Sequence, residues 1–152
     1  MKLPRFSILF SLILLVSSLA YSIMPAENAE KTPKPPAEVK VPLEEVTAFA
    51  FGGVGFAGTT SSGELAFRKI LKEPNPLERF NAVLHKGTNE AKLYALCAIH
   101  VLDKPAFEKA SAKLVAENPD VTTIGGCIIS KQKAAGVVKN ITDGHYDKDV
   151  RP

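Results

Sequence analysis

No Cys-x-x-Cys pair occurs in the 152 residues, and the only two cysteines are Cys97 and Cys127. Thiol-exchange chemistry and zinc-ribbon sites therefore have no support in the sequence. H-E-x-x-H, G-x-S-x-G and paired-carboxylate constellations are equally missing, which removes the familiar signatures of zinc proteases and serine hydrolases. Beyond the N-terminus there is no second long apolar run, so a bundle of membrane-spanning helices is excluded. Charge of one sign is also scarce: 19 basic residues stand against 16 acidic ones, a formal net charge of +3. A nucleic-acid binder would carry a concentrated basic face, and none is visible. No cofactor, metal or catalytic residue is expected from these motifs.

What is present begins with MKLPRFSILFSLILLVSSLAYS, residues 1–22. Lys2 and Arg5 precede an apolar run that ends in small residues, the order of a secretory signal peptide. Cleavage after Ala20 or Ser22 leaves 17 basic residues against 16 acidic ones, a net charge of +1. The mature chain is then secreted or periplasmic. The alternative is an uncleaved N-terminal anchor, because Ser7 to Met24 is uncharged over about the 18 residues at which spanning becomes feasible. Residues 23–42 are rich in Pro, Ala, Lys and Glu and read as a flexible linker, since proline biases its neighbours away from helix. A single domain is expected over 43–142, followed by a polar, mobile tail over 143–152.

Within that domain the punctuation is helical. Ser61-Ser62-Gly63-Glu64 fits a capping box ahead of a first helix from about Ser62 to Lys72. Asn75-Pro76 opens a second, stopped by Gly87. Thr88 caps a third, whose residues from Ala91 to Leu102 leave almost no polar face and place it at the centre. Asp103-Lys104-Pro105 starts a fourth, closed by Asn118-Pro119. The expected fold class is mainly α, with four short helices as two antiparallel hairpins and a small extended or β element near the C-terminus. The rhythm resembles HEAT-type repeat packing in architecture only, and no function is carried over from it. Val121–Ile124, Cys127–Ile129 and Ala135–Ile141 are β-branched runs read as extended. They pair either as a hairpin across Ser130–Ala134 or with Val46–Phe51.

An oxidising compartment predicts a disulfide between Cys97 and Cys127, closing a loop of about 30 residues for on the order of 3–4 kcal/mol. Cys97 and His100 share a helical face, the one Cys/His proximity the sequence displays. Asp143, His145, Asp147 and Asp149 form a weak cation pattern without the fixed positions of a calcium loop. Gly53, Gly55 and Gly58 spell G-x-G-x-x-G, yet Thr59-Thr60 stand where a P-loop needs lysine and no second parallel strand follows. Nucleotide binding is therefore not expected. The glycines and the adjacent Phe49, Phe51 and Phe56 are read instead as an interaction surface, comprising Phe49, Phe51, Gly53, Phe56 and Gly58. The functional expectation is an exported, non-enzymatic binding module for a protein or envelope component. A small extracytoplasmic enzyme or enzyme inhibitor, with its site near Cys97/His100 or the Gly52–Gly58 loop, is the second reading. A structural envelope component is the third.

Overall fold

The computed structural model describes residues 41–151. The expected signal peptide, 1–22, and all but the last two residues of the expected linker, 23–42, lie outside the described residues. The described part is mainly helical, with two small two-stranded antiparallel sheets. It opens with a 3-10 turn at Leu43–Glu45, where Leu43 is already buried. A short ribbon follows, β1 (Gly53–Val54) with β2 (Thr59–Thr60).

Side-chain caps from Ser61, Thr88 and Asp103 set helix starts, whereas Asn75 ahead of Pro76 makes no side-chain cap bond. In α1 (Ser62–Leu71) the Ser61 hydroxyl accepts the Glu64 N–H at 3.0 Å, satisfying one of the orphan amides of the first turn. The reciprocal half of the capping box is not made. Glu64 is buried, and its carboxylate accepts instead from the Gly52 N–H at 2.8 Å and from Arg68 Nε at 2.8 Å. In α2 (Pro76–Lys86) proline occupies the first turn, where its missing N–H forfeits no bond. Thr88 caps α3 (Asn89–Leu102) by accepting from Ala91 N–H at 3.0 Å while donating to the Val46 carbonyl. Asp103 caps α4 (Lys104–Glu117), which ends on Asn118 in the left-handed region at φ 39°; Asn is one of the few non-glycine residues that visits it readily.

α3 lies at the centre. Ala91 and every residue from Leu93 to Ile99 are buried, as a helix apolar on nearly all sides requires. Phe49, Phe51, Phe67, Phe80 and Tyr94 pack as a connected aromatic group with ring centroids 4.8–5.9 Å apart. Tyr94 is wholly buried, and its hydroxyl engages one residue twice: it donates to the Ala50 carbonyl at 2.7 Å and accepts the Ala50 N–H at 2.8 Å. Gly63 is what lets the ring lie there. A Cβ at that position would fall 2.7 Å from the Tyr94 hydroxyl and 2.8 Å from its Cε2.

The C-terminal third departs from expectation at three points. The β-hairpin is formed by β3 (Asp120–Gly125) and β4 (Ile128–Lys133), turning at Gly126-Cys127 rather than across Ser130–Ala134. Gly126 has φ +56°, the conformation that a two-residue hairpin turn demands and glycine supplies. Second, Ala134–Thr142 is not extended but helical, α5. Its buried residues Ala134, Val137, Val138 and Ile141 fall at i, i+3, i+4 and i+7, so helical burial overrides the β-preference of its valines. Third, the segment read as a polar tail carries α6 (Asp147–Val150), with Val150 buried and Tyr146 edge-on to Phe49 at 5.2 Å. The second expected pairing does occur, at Phe49. Its N–H donates to the Thr122 carbonyl at 2.8 Å, and its carbonyl accepts from Ile124 N–H at 3.0 Å, so the lead-in segment runs parallel to β3.

Candidate interaction surface at the joined hairpin tips

The glycine run builds the first tip. Between β1 and β2 the chain turns through Gly55-Phe56-Ala57-Gly58, with Gly58 N–H donating to the Gly55 carbonyl at 3.1 Å. Gly55 and Gly58 have φ +70° and +60°, values that side chains other than glycine rarely accept. Gly53 lies so close to the opposite arm that a Cβ there would sit 3.0 Å from the Gly58 oxygen. The glycines thus satisfy a tight ribbon rather than a cradle.

The second tip is the Gly126-Cys127 turn, and the two are joined. Gly55 N–H donates to the Gly126 carbonyl at 2.9 Å, and Val54 bridges Gly126 in parallel. Large apolar side chains on the two joined ribbons lack cover: Phe56 is 104% exposed, Ile128 69% and Ile129 70%. Successive strand residues face opposite sides of a ribbon, so Ile128 and Ile129 leave both of its faces apolar. Every residue of β4 is exposed, and β3 is its sole strand partner among the described residues. No Asp, Glu, Lys, Arg or His occurs from Val46 to Gly63 or from Val121 to Ser130. The nearest charge on β3–β4 is Lys131, two residues beyond Ile129, and the pair Asp120–Lys133 at 3.0 Å closes the other end of the ribbon.

The sequence-derived surface is therefore divided. Phe49 is buried and Phe51 half-buried in the aromatic core, while Phe56, Gly53 and Gly58 belong to the exposed tip. Sequence reading missed Ile128 and Ile129 as surface residues, having read Cys127–Ile129 only as an extended run. The signal was Gly125-Gly126, whose position as a turn puts both isoleucines at the tip that bonds to the β1–β2 turn.

The predicted disulfide is corrected. Cys97 and Cys127 are both free, the first buried in α3 and the second exposed in the hairpin turn. A side chain on the central helix and one at the end of an outward ribbon do not approach within bonding range. Burial pushes the Cys97 thiol well up, and Asp149 and Asp147 add to this. That is the reverse of what a nucleophilic thiolate needs. His100, three residues on, is held by Asp147, with Nδ1 3.0 Å from Oδ1, and packs edge-on to Phe107 at 4.7 Å. Titration with a thiol reagent should report one fast-reacting equivalent in the native protein and a second only after unfolding. Two equivalents released only by a reductant would restore the disulfide.

The acidic tail residues do not converge on a cation either. Asp143 is taken by Lys139 at 2.6 Å, Asp147 by His100, and Asp149 faces Arg68 at 3.7 Å. At the G-x-G-x-x-G run, Glu64 occupies the Gly52 amide and puts a carboxylate in the first turn of α1, where a phosphate would have to bind. Comparisons of the chain with protein-family models, with curated proteins and with solved structures find no match to any of them.

Proposed function

We propose that the chain is an exported, non-enzymatic interaction module that docks on a protein or envelope component through its joined hairpin tips. The observation that carries this reading is the uncovered apolar set Phe56, Ile128 and Ile129 on a part of the molecule without charge. Isolated surface apolar residues need no explanation, but several gathered at one projecting point mark contact surfaces. Export rests on the signal-like residues 1–22, and the Pro-rich 23–42 serves as the tether between cleavage site and domain. The four longest helices are taken as two antiparallel hairpins, which the short connections 72–75 between α1 and α2 and Asp103 between α3 and α4 support. The buried, proton-holding Cys97 argues against thiol catalysis near His100.

A photo-crosslinking residue placed at position 56 tests the docking reading. In intact cells it is expected to give a discrete adduct that the same residue at solvent-facing Lys72 does not give. Ile129→Lys should abolish that adduct while leaving the melting temperature within about 2 °C, as for surface changes generally. No adduct at position 56, or equal adducts at both positions, would sink it.

A further inference from the structure

A second feature lies away from the tips. α2, α3 and α4 enclose a cleft of about 420 Å³, within the range of small-molecule sites, roughly 300–1,000 Å³. Its floor is apolar, made by Leu84, Leu96 and Leu114 with Ala110 between. Its rim is cationic: Lys92 from α3 and Lys109 and Lys113 from α4. None of the three lysines is ion-paired among the described residues. Lys109 and Lys113 stand four apart on one helix, an arrangement that weakens a helix slightly when both are charged. His85 adds a fourth donor, and Glu117 at one end is the lone acid of the lining.

An apolar trough with unpaired ammonium groups on its rim complements one kind of ligand. We infer that this cleft binds a single-chain amphiphile with an anionic head, a long-chain carboxylate. The acyl chain lies along the leucine floor, where each buried methylene contributes about 0.8 kcal/mol. The carboxylate is met by the lysines of α4 and Lys92, which desolvate little because their heads stay at the rim. The inference is independent of the hairpin tips and stands or falls without them.

The test titrates the full chain, expressed with its own N-terminus and purified as the cell processes it, with monomeric dodecanoate by calorimetry. Saturable one-to-one binding is expected, weakened by salt because exposed charges are screened. The Lys109→Gln/Lys113→Gln double variant should bind about fivefold more weakly, the scale of two rim charges. Ala110→Phe, which fills the trough, should abolish binding; Ala110 is partly exposed, and an unchanged melting curve confirms that the variant folds. Dodecanol, with the same chain and no charge, should bind at least fivefold more weakly than dodecanoate. Absence of saturable binding, equal affinity for dodecanol, or indifference to both variants overturns the assignment. Binding of an acidic amphipathic peptide but not of dodecanoate overturns it in favour of a protein ligand.

Discussion

Replacing Tyr94 by Phe is expected to destabilise the domain by about 2–3 kcal/mol, because a buried amide loses its partner and keeps its desolvation penalty. The hydroxyl both accepts the Ala50 N–H and donates to the Ala50 carbonyl. The carbonyl retains Ser61 Oγ at 3.0 Å in the variant, whereas the N–H has no second acceptor within reach. The loss is thus dominated by one orphaned donor rather than two broken bonds. In a domain of this size it should lower the melting temperature by roughly 10 °C or more. The same hydroxyl also sets an alkaline limit. Burial pushes the Tyr94 phenol up from 10.0 to about 12. The neutral form is favoured by the fold, so the stability it contributes is fully present below pH 10 and is lost as pH rises from 10 to 12. That loss is at most about 2.7 kcal/mol for a shift of this size. Urea midpoints measured across pH 8–12 should show the gap between wild type and Tyr94→Phe narrowing above pH 10. A constant gap would show that Tyr94 does not titrate with the fold, and a gap below 1 kcal/mol at pH 8 would contradict the orphaned donor.

Gly63→Ala should destabilise as well, although the substitution ordinarily helps. Alanine within a helix is favoured over glycine by about 0.5–1 kcal/mol, and Gly63 lies in the first turn of α1 with no positive φ to preserve. Space decides the sign. The added Cβ would meet three atoms of the Tyr94 side chain, its hydroxyl and two ring carbons, at 2.7–2.9 Å, and that ring is buried and pinned through its hydroxyl to Ala50. Overpacking of this kind typically costs about 1–3 kcal/mol, which outweighs the helix gain. Alanine at the neighbouring Ser62, exposed in the same turn, provides the control: it should leave the urea midpoint almost unchanged. A Gly63→Ala protein as stable as wild type would mean that the Tyr94 ring moves freely, and would weaken the account of the hydroxyl given above.

These residues mark the boundary of what the sequence discloses. The starts of α1 to α4 were legible because Ser61, Pro76, Thr88 and Asp103 act on backbone groups within three residues of themselves. The centrality of α3 was legible because an unbroken apolar helix has no alternative place. Glu64 was legible as a first-turn acid but not as the partner of Gly52, since that contact depends on how the glycine ribbon folds back. Ala135–Ile141 reads as strand by composition and as helix by the spacing of its buried positions, and only packing on α3 and α4 chooses. Phe49, Phe51 and Phe56 are alike in sequence. They separate because Phe49 and Phe51 precede the β1–β2 turn and meet Tyr94, while Phe56 sits at its apex. Pairing of Cys97 with Cys127 followed from compartment chemistry, which says nothing about which way either thiol faces.

If the tips dock as proposed, the placement of Ile128 and Ile129 on opposite faces of a thin ribbon restricts the shape of the receiving surface. A flat partner covers one isoleucine and leaves the other in water. A socket deep enough to admit the ribbon end-on covers both, together with Phe56 on the adjoining tip. On the proposed docking the complementary surface would be concave, a recess that admits a plug rather than a plane that meets another.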